Sequence, residues 1–173
     1  MALYALGDAE PNVHPDAFVH PDAVLIGAVE LGSEASVWPG AVIRADEGPI
    51  TIGARTSIQD GSVLHTTTYA ATCVGADCVI GHLVHLEGCT IEDLALVGSG
   101  AVVLHEAVVE TGALVGAGAV VPNRMRVPSG AMALGVPATI REGTVDAQRH
   151  IRPGVEAYRR RVRQYRADLR RLD

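Results

Sequence analysis

Seven histidines and 20 acidic residues stand in this 173-residue chain, and a group of them in its middle is of the types that do metal or acid–base chemistry. The group is Arg44, Asp46, Gln59, Asp60, His65, His82, His85 and Glu87. Imidazole and carboxylate both bind zinc, and a carboxylate or amide beside them can orient a ligand or a water. Cysteine is not part of that chemistry. Cys73, Cys78 and Cys89 are odd in number and contain no C-x-x-C pair, so neither a disulfide framework nor a thiolate zinc site is indicated, and reduced, mostly buried thiols are expected. His14, His20, His105 and His150 read as ordinary surface or hydrogen-bonded histidines. Widely separated residues share one ion only if the chain brings them back to the same place, so the elements that position them decide the matter.

Those elements are written as a repeat. Aliphatic residues recur every six positions from Val13 to Ile43, then in three further phased runs, Ile52–Leu64, Val74–Leu86 and Ile91–Val127, giving 19 rungs in all. Two residues before each aliphatic the side chain is usually small, as at Ala35, Thr56, Ser62, Cys78, Cys89 and Ala101, and the residue after it is often Gly. A six-residue period suits a short strand plus a corner repeated around a coil, with the aliphatic and the small residue pointing inward. The interior of such a coil has no room for large rings, which fits an aromatic content of 3% beside 48% hydrophobic residues and 19 glycines. The runs V-G-S-G-A-V and V-G-A-G-A-V resemble the hexapeptide pattern of the left-handed parallel β-helix, in which three rungs close one triangular coil. The expectation is an all-β, left-handed parallel β-helix of about six triangular coils over residues 1–148, with a C-terminal α-helix.

Three rungs per coil turn the sequence into a map, because every third rung stacks on the same face about 4.8 Å from the last. The rungs of Ile43, Leu64 and Leu86 share a face, so Arg44, His65 and Glu87 form one outward column. The rungs of Ile58 and Ile80 share another, which sets Asp60 under His82. A histidine and a carboxylate stacked one coil apart are placed to share a metal. His82, on a different face, completes the site only from a neighbouring copy, and the expectation is a homotrimer with three metal sites between subunits. His85 also points outward and is the alternative third ligand, although it lies about 6–7 Å farther along the strand than Glu87.

Charge separates the two ends of the chain. All 14 basic residues are Arg, nine of them in residues 149–173, which carry a net +6 against −12 for residues 1–148. That segment reads as an amphipathic helix after Pro153-Gly154, with Val155, Tyr158, Val162, Tyr165 and Leu169 on one side, packed on the β-helix with its arginines in solvent or facing the acidic body. The acidic body lacks an aromatic stacking platform, which argues against nucleic acid as a partner. No apolar run approaches the roughly 18 residues that span a bilayer, and the N-terminus has no signal-like stretch, so a cytoplasmic protein without a membrane partner is expected.

The local sequences I-R-A-D (43–46), I-T-I-G (50–53), I-Q-D-G-S-V-L-H (58–65), I-G-H (80–82) and L-E-G-C-T-I (86–91) resemble γ-class carbonic anhydrases over most of residues 10–140. In that family three histidines from two subunits bind zinc or iron. The first two match His65 and His82, and Glu87 stands where the third would be. The resemblance further implies that Arg44 and Asp46 tie subunits together beside the metal, and that Gln59 and Asp60 position its water or a ligand. It implies a zinc- or iron-dependent lyase that hydrates CO₂ reversibly to bicarbonate at the subunit interface, slowed by Glu87. The bulge Thr66–Ala71 holds no carboxylate where some members carry an acidic, proton-shuttling loop. Two alternatives stay open: a hexapeptide acyltransferase using an acyl-CoA, and a non-catalytic trimer that binds a metal or a small anion.

Overall fold

The structure is a computed structural model and describes residues 2–173. The chain winds into a parallel β-solenoid of about seven turns followed by a C-terminal helix. Seven turns replace the expected six because the solenoid extends past both ends of the repeat. At one end Ala2–Tyr4 pairs in parallel with residues 24–26, and at the other Met132–Leu134 pairs with Leu114–Val115. Neither added rung carries the aliphatic-and-small signature in phase, since Ala133 fills the inward position in the last one.

The first face stacks Ala2–Tyr4, the starts of Val24–Leu31 and Val42–Ile52, then Val63–His65, His85–Glu87, Val102–Val103 and Val120–Val121, all parallel. The second face runs from Asn12–Val13 to Arg126–Val127, and the third from Phe18–Val19 to Met132–Leu134, where Thr139–Arg141 turns back antiparallel. Val24–Leu31 and Val42–Ile52 pass around a corner and so join the first two faces in one sheet.

The interior follows the hexapeptide rule. Leu25, Ile43, Ile58, Leu64, Ile80 and Leu86 are fully buried in a single core, with Ala35, Ala101 and Ala107 filling the small positions. Where the small residue is polar, its hydroxyl bridges successive coils. Thr56 Oγ1 donates to the Gly75 carbonyl and accepts from Cys78 N, and Ser62 Oγ does the same with Gly81 O and Val84 N. Each hydroxyl thereby satisfies backbone groups that would otherwise be stranded in an apolar prism. The glycines after the aliphatic residues answer to close stacking of corners: a Cβ on Gly53 would lie 2.4 Å from the carbonyl carbon of Gly75.

Four of the six aromatic residues gather outside the prism. Phe18 and Trp38 stand on the third face, and Tyr158 and Tyr165 meet Trp38 edge-on at centroid separations of 5.3 and 5.0 Å, with Val162 in the same cluster. The tail supplies these contacts through a short helical turn, α1 (Ala147–His150), capped by the Asp146 side chain, and a longer helix, α2 (Arg152–Asp168). The helix is therefore shorter than residues 149–173: it starts one residue before Pro153, which sits without strain in a first turn, and Leu169 lies beyond its end, about half exposed. Ile151 and Val155 are buried against Val79. Two ion pairs fasten the basic tail to the acidic body, Arg152 to Asp77 at 3.0 Å and Arg159 to Glu34 at 2.7 Å.

Candidate metal centre

Strand register alone brings the first-face residues together. Arg44 lies opposite His65 and His65 opposite Glu87 in successive coils, as the column map expects. With Leu64 and Leu86 turned inward and fully buried, alternation aims His65 and Glu87 outward on the same side of the sheet. Glu87 Oε1 is 2.9 Å from His65 Nδ1, and His65 Nε2 is 2.9 Å from Asp46 Oδ1. Arg44 in turn donates to Asp46. The four side chains form a continuous polar chain across three successive coils, and both ring nitrogens of His65 are engaged in it. Arg44 and Asp46, expected to tie subunits, meet each other and His65 within one chain.

Three imidazoles surround Glu87. Besides His65, His85 Nε2 is 3.3 Å from Oε2, and His105 Nε2 is 3.3 Å from the same oxygen. The His105 contact is too poorly aligned for a hydrogen bond, so this nitrogen is buried without a hydrogen-bond partner among the described residues; the Thr66 hydroxyl shares that condition. On its other side His105 Nδ1 is 2.8 Å from the Tyr69 hydroxyl, with the two rings edge to face. Burial, the largest single influence on the Glu87 carboxyl, pushes its pKa up, but the His65, His105 and His85 rings outweigh it together and bring the group down to about 2. Asp46 behaves alike: burial raises it, and the bonds to His65 and Arg44 prevail and lower it. Both carboxylates are ionised at neutral pH.

The third face carries a second pair. His82 Nδ1 lies 2.9 Å from Asp60 Oδ2, both side chains about half exposed, and Gln59 beside them is buried. These residues do not meet His65 or Glu87 within the chain. Among the described residues no group of three or more His, Cys, Asp or Glu side chains is arranged to hold a metal ion. A single chain thus holds two separate clusters, His65 with Glu87 on the first face and His82 with Asp60 on the third. As a set, two imidazoles and one carboxylate match a common zinc donor combination, so the residues fit a metal shared between two copies of the chain.

His105, expected to be an ordinary surface or hydrogen-bonded histidine, and Tyr69, given no role by the sequence, both reach this cluster. The position stacked on Glu87 in the next coil is Leu104, and His105 lies one residue beyond it, at a corner. Counting columns leads to Leu104; only the length of the imidazole side chain returns His105 to Glu87. Tyr69 sits in the Thr66–Ala71 bulge, closed by a bridge between Thr67 and Ala70, where no rung sets its direction. The other histidines are local. His14 and His20 accept from the amides of Asp16 and Asp22 in two copies of the same H-P-D corner, and His150 accepts from Asp146 N at the start of α1.

No protein-family model matches the chain. Gamma carbonic anhydrase 2, mitochondrial, of Arabidopsis thaliana is 38% identical over 107 residues, 58% of this chain and 38% of that protein. Carnitine operon protein CaiE of Escherichia coli K12 is 37% identical over 150 residues, 87% of this chain and 76% of that protein. The chain belongs to the γ-carbonic-anhydrase-like hexapeptide-repeat family. Its match to CaiE of Escherichia coli O157:H7 spans a little over half of that protein, 53%, at 44% identity. Among solved structures, this γ-carbonic-anhydrase-like chain superposes on a hexapeptide transferase family protein from Anaplasma phagocytophilum with a TM-score of 0.90 and 34% identity, covering 95% of this chain and 98% of that one. A perosamine N-acetyltransferase from Caulobacter crescentus, in complex with CoA and GDP-perosamine, is 28% identical with a TM-score of 0.55, over 76% of this chain and 56% of that one.

Proposed function

We propose that the chain is a γ-carbonic-anhydrase-like metalloprotein that hydrates CO₂ to bicarbonate at zinc or iron held between the subunits of a homotrimer, by His65 and Glu87 of one copy and His82 of the next, with His85 as the alternative to Glu87. The observation that carries this reading is the pair of half-sites: His65 and Glu87 in contact on the first face, His82 with Asp60 on the third. The outer surfaces support a neighbour at the first face. Its outward column is Val24, Val42, Val63, His85, Val102 and Val120, and Leu83 nearby is 70% exposed. The matching column of the second face is largely polar, with Glu30, Thr51, Cys73 and Thr90, and the helix packs on the third. An outward apolar column beside an ionised cluster is what a subunit interface needs.

When bound, zinc supplies a Lewis acid that brings the pKa of water from 15.7 to about 7. Binding an ion at His65 requires the ring to release one of its two carboxylate contacts, and Asp46, itself held by Arg44, is left to orient the ring through the other. Glu87, as a charged ligand, offsets part of the cation's charge, so turnover is slower than with three imidazoles. Asp60 orients His82 through Nδ1 and leaves Nε2 for the neighbouring copy. CO₂ hydration by zinc- and iron-loaded protein tests the reading; activity that survives unchanged in both His65→Ala and His82→Ala would sink it. The likeness to the perosamine N-acetyltransferase favours acyl-CoA transfer as a second reading. Coenzyme A that raises the melting temperature, in a protein without CO₂ hydration, would decide for it.

A further inference from the structure

Within the cluster around Glu87 one buried nitrogen has no hydrogen-bond partner among the described residues. His65 uses both ring nitrogens, on Asp46 and Glu87, and His85 Nε2 is hydrogen-bonded to Glu87 Oε2. His105 differs. Its Nδ1 is held by the Tyr69 hydroxyl at 2.8 Å, while its Nε2 is buried, makes no hydrogen bond among the described residues and stops 3.3 Å from Glu87 Oε2. A buried imidazole nitrogen without a partner costs free energy unless something absent from the isolated chain completes it. Histidines that bind metals show this asymmetry, one ring nitrogen fixed by an outer partner and the other left to the ion. The spacing agrees as well. Nitrogen and oxygen ligands about 2.1 Å from a tetrahedral ion stand about 3.4 Å from each other, close to the separation of His105 Nε2 and Glu87 Oε2 and longer than a good hydrogen bond.

We infer that His105 Nε2 is a direct donor to the cation held at Glu87, returning from the next coil an imidazole to the donor set in which Glu87 provides a carboxylate, and that Tyr69 is its positioning residue. This rests on the metal reading above, in which His65 and Glu87 come from one copy and His82 from its neighbour, and it adds His105 to the donors of the first copy.

Titration of the full-length protein with Zn²⁺ and with Co²⁺, whose visible absorption reports its ligands, tests the inference. His105→Gly should weaken binding by about 100-fold or more and alter the Co²⁺ spectrum, and added imidazole should restore both. Tyr69→Phe should weaken binding by about 10–100-fold, the usual effect of removing an outer partner. His105→Asn keeps a polar side chain at the corner and decides the matter if the glycine variant misfolds; it too should lose affinity. Unchanged affinity and spectrum in the folded His105 variants, with the wild type binding metal, would overturn the inference and leave the metal reading standing. A wild type that binds neither ion would overturn both.

Discussion

Glu87 gathers the chemistry of the first face because three imidazoles reach it from three directions. His65 comes from the coil before, His85 from its own strand and His105 from the corner of the coil after. The cysteines show the opposite use of position. Cys78 and Cys89 occupy small inward slots, and burial pushes both thiols up to about 12, while Cys73 lies on the outer surface between Thr51 and Thr90. Alkylation of the native protein at pH 8 should therefore modify at most Cys73, with all three thiols reacting once the chain is unfolded; mass spectrometry of the labelled protein reads the difference. Much of this was legible in the sequence. The six-residue ruler set Arg44, His65 and Glu87 in one column, and Asp60 beneath His82, because inward and outward positions alternate rigidly along a rung. His105 and Tyr69 were not legible, since corners and bulges carry no such alternation and long side chains reach across registers.

At the scale of elements, the tail is held by charge and by rings. Asp77 lies at a corner of the solenoid, where it accepts two hydrogen bonds from Arg55 at 2.8 and 2.7 Å and one from Arg152 at the start of α2. The bonds from Arg55, above all, hold the carboxyl below its ordinary 3.8 against the opposing effect of burial, and Arg152 assists. A carboxylate with a lowered folded pKa stabilises fully above the ordinary value and loses that contribution as pH falls through the lowered one. Asp77→Asn should accordingly be less stable than wild type by about 1–3 kcal/mol at pH 7, and the gap should narrow as pH falls below the ordinary carboxyl value of 3.8. Urea denaturation across pH checks both statements; a gap independent of pH would contradict them. The amphipathic spacing of Val155, Tyr158, Val162 and Tyr165 announced the helix, and its packing on Phe18 and Trp38 follows from a prism too narrow to take rings inside. Its C-terminal limit was less legible, because Leu169 continues the apolar spacing while the backbone has already left the helix.

As a whole the molecule has three faces of different character: an outward valine column beside the charged cluster, a polar face, and a face covered by its own helix. No helix among the described residues is long and apolar enough to cross a membrane. On the proposed reading, an ion shared between the first face of one copy and the third face of the next holds the copies together, and the oligomer should depend on the first face. Val63→Glu should dissociate it in light-scattering measurements, whereas Thr90→Glu on the second face should leave it intact. The central claim is that one ion is held by two copies of the chain, and mixing of variants tests it most directly. His82→Ala chains and chains carrying both His65→Ala and Glu87→Ala each lack one half-site, so neither should retain zinc alone. Unfolded together and refolded, they should form mixed oligomers in which intact half-sites meet and zinc returns in substoichiometric amount. Full zinc in either variant alone, or none in the mixture when the wild type refolded alongside retains its metal, would contradict the account.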